Sequence, residues 1–578
     1  MSDRNQETGR TNGAGLLVDV FEAHNVEHVF GLCGHTLVAV LDALSRSSIR
    51  FVPVHHEQMA THAADAYARV TGRASVALVH LGPGLTNAIT GIANASLDSI
   101  PMVVISGNVQ SYFFGRHAHM ESLLHHDADQ ARSVEPWCKR VWRVERPEAL
   151  LPALEAAFLT AESGRPGPVL VDVAMDVFSS RVELPADYRP LPVPSRAAPD
   201  PALVARTVDD LIAAERPVLY VGGGVIRSGG SAVLAEAVDR IGAPVAYSIM
   251  GKGALSDKHR LNVGMTGNWG TPAANAACAG ADLILAIGTD FQEVDTSSWT
   301  PGKPFSFPAT RLIHVHDDPT ELGRSYVPDL AVTSDARLFL EALNLELGRR
   351  DVVARGQLDQ ELVALRTAFA ESQAAHAAEA AFPMRPERVL ADLRTALPES
   401  ALIVADTGWN KNGVGQQFPL TEPGTLLAPG GYATMGFGPS AALGAVLAAP
   451  DRQVVALVGD GAFLTNLSVI QTAVEESLPV VWVVMNNGTY ATISGIQNRH
   501  FGNDYGSSFN SSTTDYAALA HALGAGGVRL ERAEDLVQVL KEALASRRPF
   551  VIDIPTTRDA VPVNGAWDIN QLFANGKE

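Results

Sequence analysis

Two short runs in the last third of the chain carry residue types that hold a divalent cation. The apolar stretch Val454–Val458 runs into Gly459-Asp460-Gly461. A second apolar stretch, Val480–Met485, runs into Asn486-Asn487-Gly488. Asp460 and Asn487 stand 27 residues apart, each just past an apolar run that reads as a buried strand. In open α/β sheets, ligands gather at the carboxyl ends of the strands. One carboxylate and one amide oxygen suit Mg²⁺, which keeps phosphate oxygens and water in its shell. The glycines let a diphosphate approach backbone N–H groups. Either turn alone would be ordinary; the pair at this spacing is not.

A second group lies near the other end of the chain. Val54-His55-His56-Glu57-Gln58 closes a strand and precedes a helix. Farther on, Gly82-Pro83-Gly84-Leu85-Thr86-Asn87 forms a glycine-rich turn into a helix.

The elements that must position these groups follow from the apolar pattern. Strand-like runs at Val26–Gly31, Ser75–His80, Met102–Ser106 and Val169–Val173 alternate with helical ones at Ala60–Thr71 and Thr86–Ala95. The same alternation recurs over Pro217–Val221, Leu283–Gly288 and Leu312–Val315. It recurs again over Leu402–Ala405, Val454–Val458, Val480–Met485 and Phe550–Ile554. Strand–turn–helix repetition predicts α/β domains with doubly wound parallel sheets. The prolines between Ser180 and Pro201 mark a linker, and Asp351–Ala380 reads as a charged, Ala-rich helical connection. Three domains are expected, over residues 13–180, 200–345 and 386–556, followed by a tail over 557–578.

Composition agrees. The chain has 578 residues, 46% of them hydrophobic and 19% charged. That describes a folded chain of about three or four domains. Forty-four Lys+Arg against 63 Asp+Glu give a net charge of −19. Such a surface repels nucleic acid and anionic lipid, so neither is an expected partner. The three cysteines show no C-x-x-C spacing, which disfavours a disulfide framework and structural zinc. The polar start carries no signal-like apolar core, and no run is long enough to span a membrane. A cytoplasmic enzyme is the expectation.

With these motifs in place, the chain resembles the thiamine-diphosphate (ThDP) enzymes, in the branch of acetolactate synthases and decarboxylases. Their signature is Gly-Asp-Gly, a spacer, then Asn or Asn-Asn. The resemblance implies that Asp460, Asn487 and the carbonyl of Thr489 hold Mg²⁺ on the cofactor diphosphate. Glu57 would hydrogen-bond N1′ of the aminopyrimidine. Met435, in Gly431-Tyr432-Ala433-Thr434-Met435-Gly436-Phe437-Gly438, would support the thiazolium from below. Pro83, Asn87, Gly459, Gly461, Ala462 and Tyr490 complete the implied cofactor contacts. Ser99-Ile100-Pro101-Met102, Gly251-Lys252-Gly253 and Gly264–Thr271 extend the resemblance over nearly the whole chain. The first domain of such enzymes faces the third domain of a neighbouring subunit, which implies a homodimer or homotetramer.

The pattern departs in three places. His119-Met120-Glu121 replaces the Phe-Gln-Glu of acetolactate synthases, and Thr289-Asp290-Phe291-Gln292-Glu293 replaces their flavin-contacting Arg-Phe-Asp-Asp-Arg. An enzyme without flavin is therefore expected. The loop Gly31-Leu32-Cys33-Gly34-His35-Thr36 and the histidines at 117, 119, 125 and 126 are unusual. They admit a metal site, an interface, or proton relay and substrate binding by His35 or His119. The segment Tyr490–Gln497 should form a helix over the thiazolium. It lacks Glu, so a proton-moving role there would fall to Gln497, Ser494 or water. The tail around Trp567 is a candidate lid.

The expected activity is C–C bond cleavage or ligation on a small 2-oxoacid. The alternative is a 2-hydroxyacyl-CoA lyase that releases formyl-CoA and an aldehyde or ketone. A non-catalytic relative is disfavoured because Glu57, Asp460 and Asn487 are all present.

Overall fold

The structure is a computed structural model that describes residues 10–122, 129–350, 354–509, 514–558 and 565–575. His125 and His126, and the tail residues Val561–Asn564, lie outside the described residues.

Three six-stranded sheets, each wholly parallel, organise these residues. In the first, the strands run in the order Arg50–Pro53, His28–Gly31, Ser75–Val79, Met102–Asn108, Pro168–Ala174, Val141–Val144. In the second, the inner pair is Pro217–Val221 and Leu283–Ile287. In the third, the inner pair is Val454–Gly459 and Val481–Asn486. The inner strands are apolar nearly throughout because helices cover both faces of a parallel sheet. This is the doubly wound α/β architecture expected from the apolar alternation.

The described chain divides into two compact units. One holds residues 10–195 together with Gly431–Pro450 and Asn466–Leu478. At its centre is the helix Glu57–Thr71, which is almost entirely buried. Its Ala-rich sequence lets neighbours come close. A Cβ on Gly91, in helix Pro83–Leu97, would stand 2.0 Å from Thr61 Oγ1. A Cβ on Gly444, in helix Phe437–Ala448, would stand 1.9 Å from the Ala63 carbonyl oxygen. Two glycines thus allow two helices to clamp a third, and close packing of this kind transmits displacement rather than absorbing it. At the helix's far end, buried Arg69 pairs with Asp65 and with Asp98 (2.7 Å) and lies over the Phe437 ring. Removing one member of such a buried network costs about 3–5 kcal/mol.

The second unit holds residues 196–430, 451–465 and the described residues after 478, and so contains the second and third sheets. Within it, Asp257 Oδ2 accepts from Leu420 N at 2.8 Å, and Gln416 donates to the Trp269 carbonyl at 3.1 Å. The proline-rich linker carries no helix or strand between Leu184 and Asp200. Asp200 then caps the helix Pro201–Ala213 by accepting from Ala202 N. The expected charged connection forms a helix at Gln360–Ala377. Among the described residues, no helix is long and apolar enough to cross a membrane.

Candidate active site

In the first unit, Glu57 is the first residue of its helix and is 5% exposed. His56 caps the helix, its Nδ1 accepting from Gln58 N. Asn87 Nδ2 donates to Glu57 Oε2 at 3.0 Å. Gly84 lies against the other oxygen: a Cβ there would stand 3.2 Å from Glu57 Oε1. The carboxyl is therefore held by a donor on one side and close packing on the other. Pro83 is exposed at the start of the helix that carries Asn87.

The turn carrying Gly84 is itself anchored. Gly82 has φ +55°, a conformation that glycine adopts without strain. Its N–H donates to Gln130 Oε1 at 2.8 Å, and Gln130 Nε2 donates to Asp172 Oδ1 at 2.6 Å. Asp172 also accepts from Asn108 at 2.7 Å. Burial pushes the Asp172 carboxyl above the usual range, and the side-chain donors only partly offset it.

His35 and His119 come together, their ring centroids 6.0 Å apart. His80 joins them, with its ring edge-on to His35 at 4.6 Å. Among the described residues, no three His, Cys, Asp or Glu side chains are grouped to hold a metal ion. Met435 is 39% exposed, so it is not a core residue of this unit. It sits between Ala433 and Gly436, both at positive φ, and the Gly436 carbonyl accepts from Asn466 Nδ2 at 2.9 Å.

In the second unit, Asp460 follows the strand Val454–Gly459 and is buried. Its Oδ2 accepts from Asn487 N (3.0 Å) and Gly488 N (2.6 Å), and its Oδ1 from Gly461 N (2.7 Å). Burial still holds its pKa above the usual carboxylate range. Gly488, at φ +68°, makes the turn that aims these two N–H groups. Asn487 Oδ1 accepts from Thr489 N at 3.1 Å, and Thr489 Oγ1 donates to the Ser507 carbonyl. Asp460, Asn487 and Thr489 therefore form one turn. Tyr490 covers it: a Cβ on Gly461 would stand 2.4 Å from Tyr490 Cε1. Ala462 is buried beside it.

The donor set fits a hydrated Mg²⁺ carrying a diphosphate. It offers one carboxylate and one amide oxygen, both hard oxygen ligands. A third observation agrees. Asn410 lies by Gly459, whose missing Cβ would stand 3.3 Å from Asn410 Nδ2. Its Oδ1 is buried with no hydrogen-bond partner among the described residues, an acceptor that a hydrated cation would satisfy.

Gln497 lies on the predicted helix, observed as Ala491–Phe501. Its amide is engaged locally: Nε2 donates to the Tyr505 carbonyl at 3.0 Å and Oε1 accepts from Ser507. The tail reaches the same helix. Trp567 packs edge-on against Trp269 at 4.9 Å, and Gly565 N donates to the Asn268 carbonyl at 3.1 Å. Phe573 then packs on His500 and Phe501. In the run Thr289–Glu293, Phe291 points inward. It is 1% exposed, among Tyr220, Phe305, Phe307 and Tyr326.

Three residues of this account were not singled out from the sequence: His80, Gln130 and Asn410. His80 stands just beyond the carboxyl end of a parallel strand, the position that marks Asp460, and Asn410 lies in the first turn of the helix Trp409–Gln417 that follows the strand Leu402–Ala405. Gln130 has no local signal, since its partners are 48 and 42 residues away.

Comparison with known proteins gives the family. Residues 11–131 match the family described as "Thiamine pyrophosphate enzyme, N-terminal TPP binding domain". Residues 204–343 match the central domain and residues 406–554 the C-terminal TPP binding domain of the same enzymes. Thiamine pyrophosphate is another name for ThDP. The chain is 35% identical over 558 residues to the acetolactate synthase large subunit of Parasynechococcus marenigrum, covering 95% of this chain and 88% of that protein. It is 33% identical to the acetolactate synthase isozyme 3 large subunit of Escherichia coli, covering 93% of each. It is 31% identical to a probable acetolactate synthase large subunit of Methanocaldococcus jannaschii, covering 94% of this chain and 91% of that one. The chain therefore belongs to the ThDP-dependent enzymes that make or break C–C bonds, in their acetolactate-synthase-like branch.

Proposed function

We propose that the enzyme decarboxylates a small 2-oxoacid such as pyruvate and joins the remaining acyl unit to a second carbonyl compound, using ThDP and Mg²⁺ without flavin. The observation that carries this reading is the buried Glu57 carboxyl, fixed between Asn87 and Gly84 at a helix start.

When bound, ThDP supplies a thiazolium whose C2 adds to a carbonyl carbon and accepts the electrons of the broken C–C bond. The protein's own groups do the rest. Glu57 shares a proton with N1′ of the aminopyrimidine, and Asn87 keeps its carboxyl oriented. Asp460, Asn487 and the Thr489 carbonyl hold Mg²⁺ against the diphosphate. Exposed Met435 supports the thiazolium. Gln497, braced by Ser507 and Tyr505, stiffens the helix that covers the site. The family resemblance also supports a homodimer or homotetramer.

The inward packing of Phe291 supports an enzyme without flavin.

A substrate panel with ThDP and Mg²⁺ tests the reading. Turnover of 2-oxoacids to CO₂ and a hydroxyketone or acetolactate, by colourless protein, is expected. Release of formyl-CoA from a 2-hydroxyacyl-CoA ester, with no 2-oxoacid turnover, would overturn it.

A further inference from the structure

Met435 stands in a loop whose two ends are fixed to one buried charge network. At the first end, Gly431 N donates to Asp98 Oδ1 at 2.9 Å. At the second, Phe437 is fully buried, with the Arg69 guanidinium over its ring at 5.3 Å and His62 edge-on at 5.5 Å. Asn466 Nδ2 holds the Gly436 carbonyl beside it. Between these ends Tyr432, Ala433 and Met435 are exposed. Ala433 has φ +52°, a strained conformation for a residue with a Cβ. Such a conformation persists where the surroundings over-determine it, and here the fixed ends supply that constraint.

The two ends are joined through Arg69 and Asp98. Arg69 Nη2 donates to Asp98 Oδ2 at 2.7 Å, and its Nε donates to Asp65 Oδ1. Asn94 Nδ2 donates to the other Asp65 oxygen at 3.0 Å. Both carboxylates are wholly buried, and the Arg69 side chain is 7% exposed. A planar guanidinium can bridge two carboxylates and still lay its face on a ring; an ammonium cannot make all three contacts. Asp98 divides its oxygens in the same way, one for Arg69 and one for Gly431. A buried ion pair is weak evidence for stability, because apolar side chains of similar volume do as well. Apolar side chains could not accept from Gly431 N, so the charges do something for the loop that packing alone would not.

We propose that Arg69 and Asp98 are positioning residues for the reaction: by fixing both ends of the loop they set where Met435 meets the thiazolium. The proposal rests on the functional reading above, in which Met435 supports that ring.

The test compares wild type, Arg69→Lys, Asp98→Asn and Met435→Ala, and the first two substitutions each combined with Met435→Ala. Lysine keeps the charge but loses the fork. Asparagine can serve Gly431 or Arg69 but not both. Amide hydrogen exchange is followed in the apoprotein, and exchange of the C2 proton for deuterium is followed in bound ThDP. Arg69→Lys and Asp98→Asn should speed amide exchange over residues 431–436 by about tenfold or more, while residues 57–64 keep wild-type rates. C2 exchange should slow by about tenfold or more. In the Met435→Ala background the same substitutions should change C2 exchange by about twofold or less, because the side chain they act through is gone. Unchanged loop amides would overturn the proposal. So would loop and helix amides loosening together, or slowing that multiplies fully with Met435→Ala, since either marks a merely structural role. If neither charge variant folds, Phe437→Leu decides by the same two readings, since it takes the ring from under Arg69 and leaves the charges in place. Wild-type C2 exchange in Met435→Ala removes Met435 from the functional reading and this proposal with it. The other outcomes bear on the proposal alone.

Discussion

Asn87 donates to the Glu57 carboxyl across two adjacent helices, at 3.0 Å. Those helices meet where Gly91 lies on Thr61, so the distance is set by packing and not by a flexible side chain. Asn87→Ala should therefore cost activity far more than stability. About tenfold in kcat is the scale for one lost positioning contact, since each 1.36 kcal/mol is tenfold in rate. Steady-state kinetics beside a thermal melt checks it; equal loss in both would contradict it.

Gly84→Ala addresses the same carboxyl from the other side. The added methyl would press on Glu57 Oε1 and His80 Cβ at 3.2 and 3.0 Å. This overpacking should cost about 1–3 kcal/mol in stability, and activity should fall further than that loss explains. A fully active Gly84→Ala enzyme would mean that the Glu57 position is not critical.

Gln130 ties Gly82 to Asp172. Gln130→Leu leaves the buried Gly82 N–H unpaired and takes a donor from a buried carboxyl. A cost of about 1–3 kcal/mol in stability is expected for such a loss. Chemical denaturation measures it, and ThDP affinity should weaken in parallel because the turn carries Gly84.

Asp460 combines a raised pKa with three backbone donors, so burial outweighs them. Asp460→Asn turns an N–H₂ toward backbone donors, so without cofactor it should be less stable by about 1–3 kcal/mol. It should then gain little from adding ThDP and Mg²⁺, which stabilise wild type by mass action. Stabilisation equal to wild type would remove Asp460 from the metal site.

The helix that carries Glu57 also buries His62, whose pKa burial and then Arg69 push down to about 3. The ring is neutral when folded but takes a proton at about 6.5 when unfolded. Stability is thus complete above pH 6.5 and falls as pH drops toward 3, by up to roughly 1.4 kcal/mol per unit for this group. Denaturation at a series of pH values should show a shallower acid slope in His62→Asn. An unchanged slope would assign the acid sensitivity elsewhere.

Much of this was legible in the sequence, for a physical reason. Inner strands such as Met102–Asn108 and Pro217–Val221 are buried on both faces, so their apolar runs stand out. Edge strand Val141–Val144 carries Arg143, is only partly buried, and reads as loop. Asp460, Asn487 and Glu57 were marked by turns at strand ends. His80 shares that mark, but an imidazole there has no fixed spacing to a partner, and Thr36 and His35 meet it only through the fold. Equally, the grouping of Gly431–Pro450 with the first unit rests on Gly444 against Ala63, a contact with no local trace.

The central claim is that Glu57 activates the cofactor. Deuterium exchange at C2 of ThDP bound to Glu57→Gln, followed by NMR after acid quench, tests it directly. Gln keeps the shape and can still meet Asn87, but cannot share the proton. Exchange slowed by about 10²–10⁴-fold with ThDP still bound is the expected result. Exchange at the wild-type rate would contradict the account.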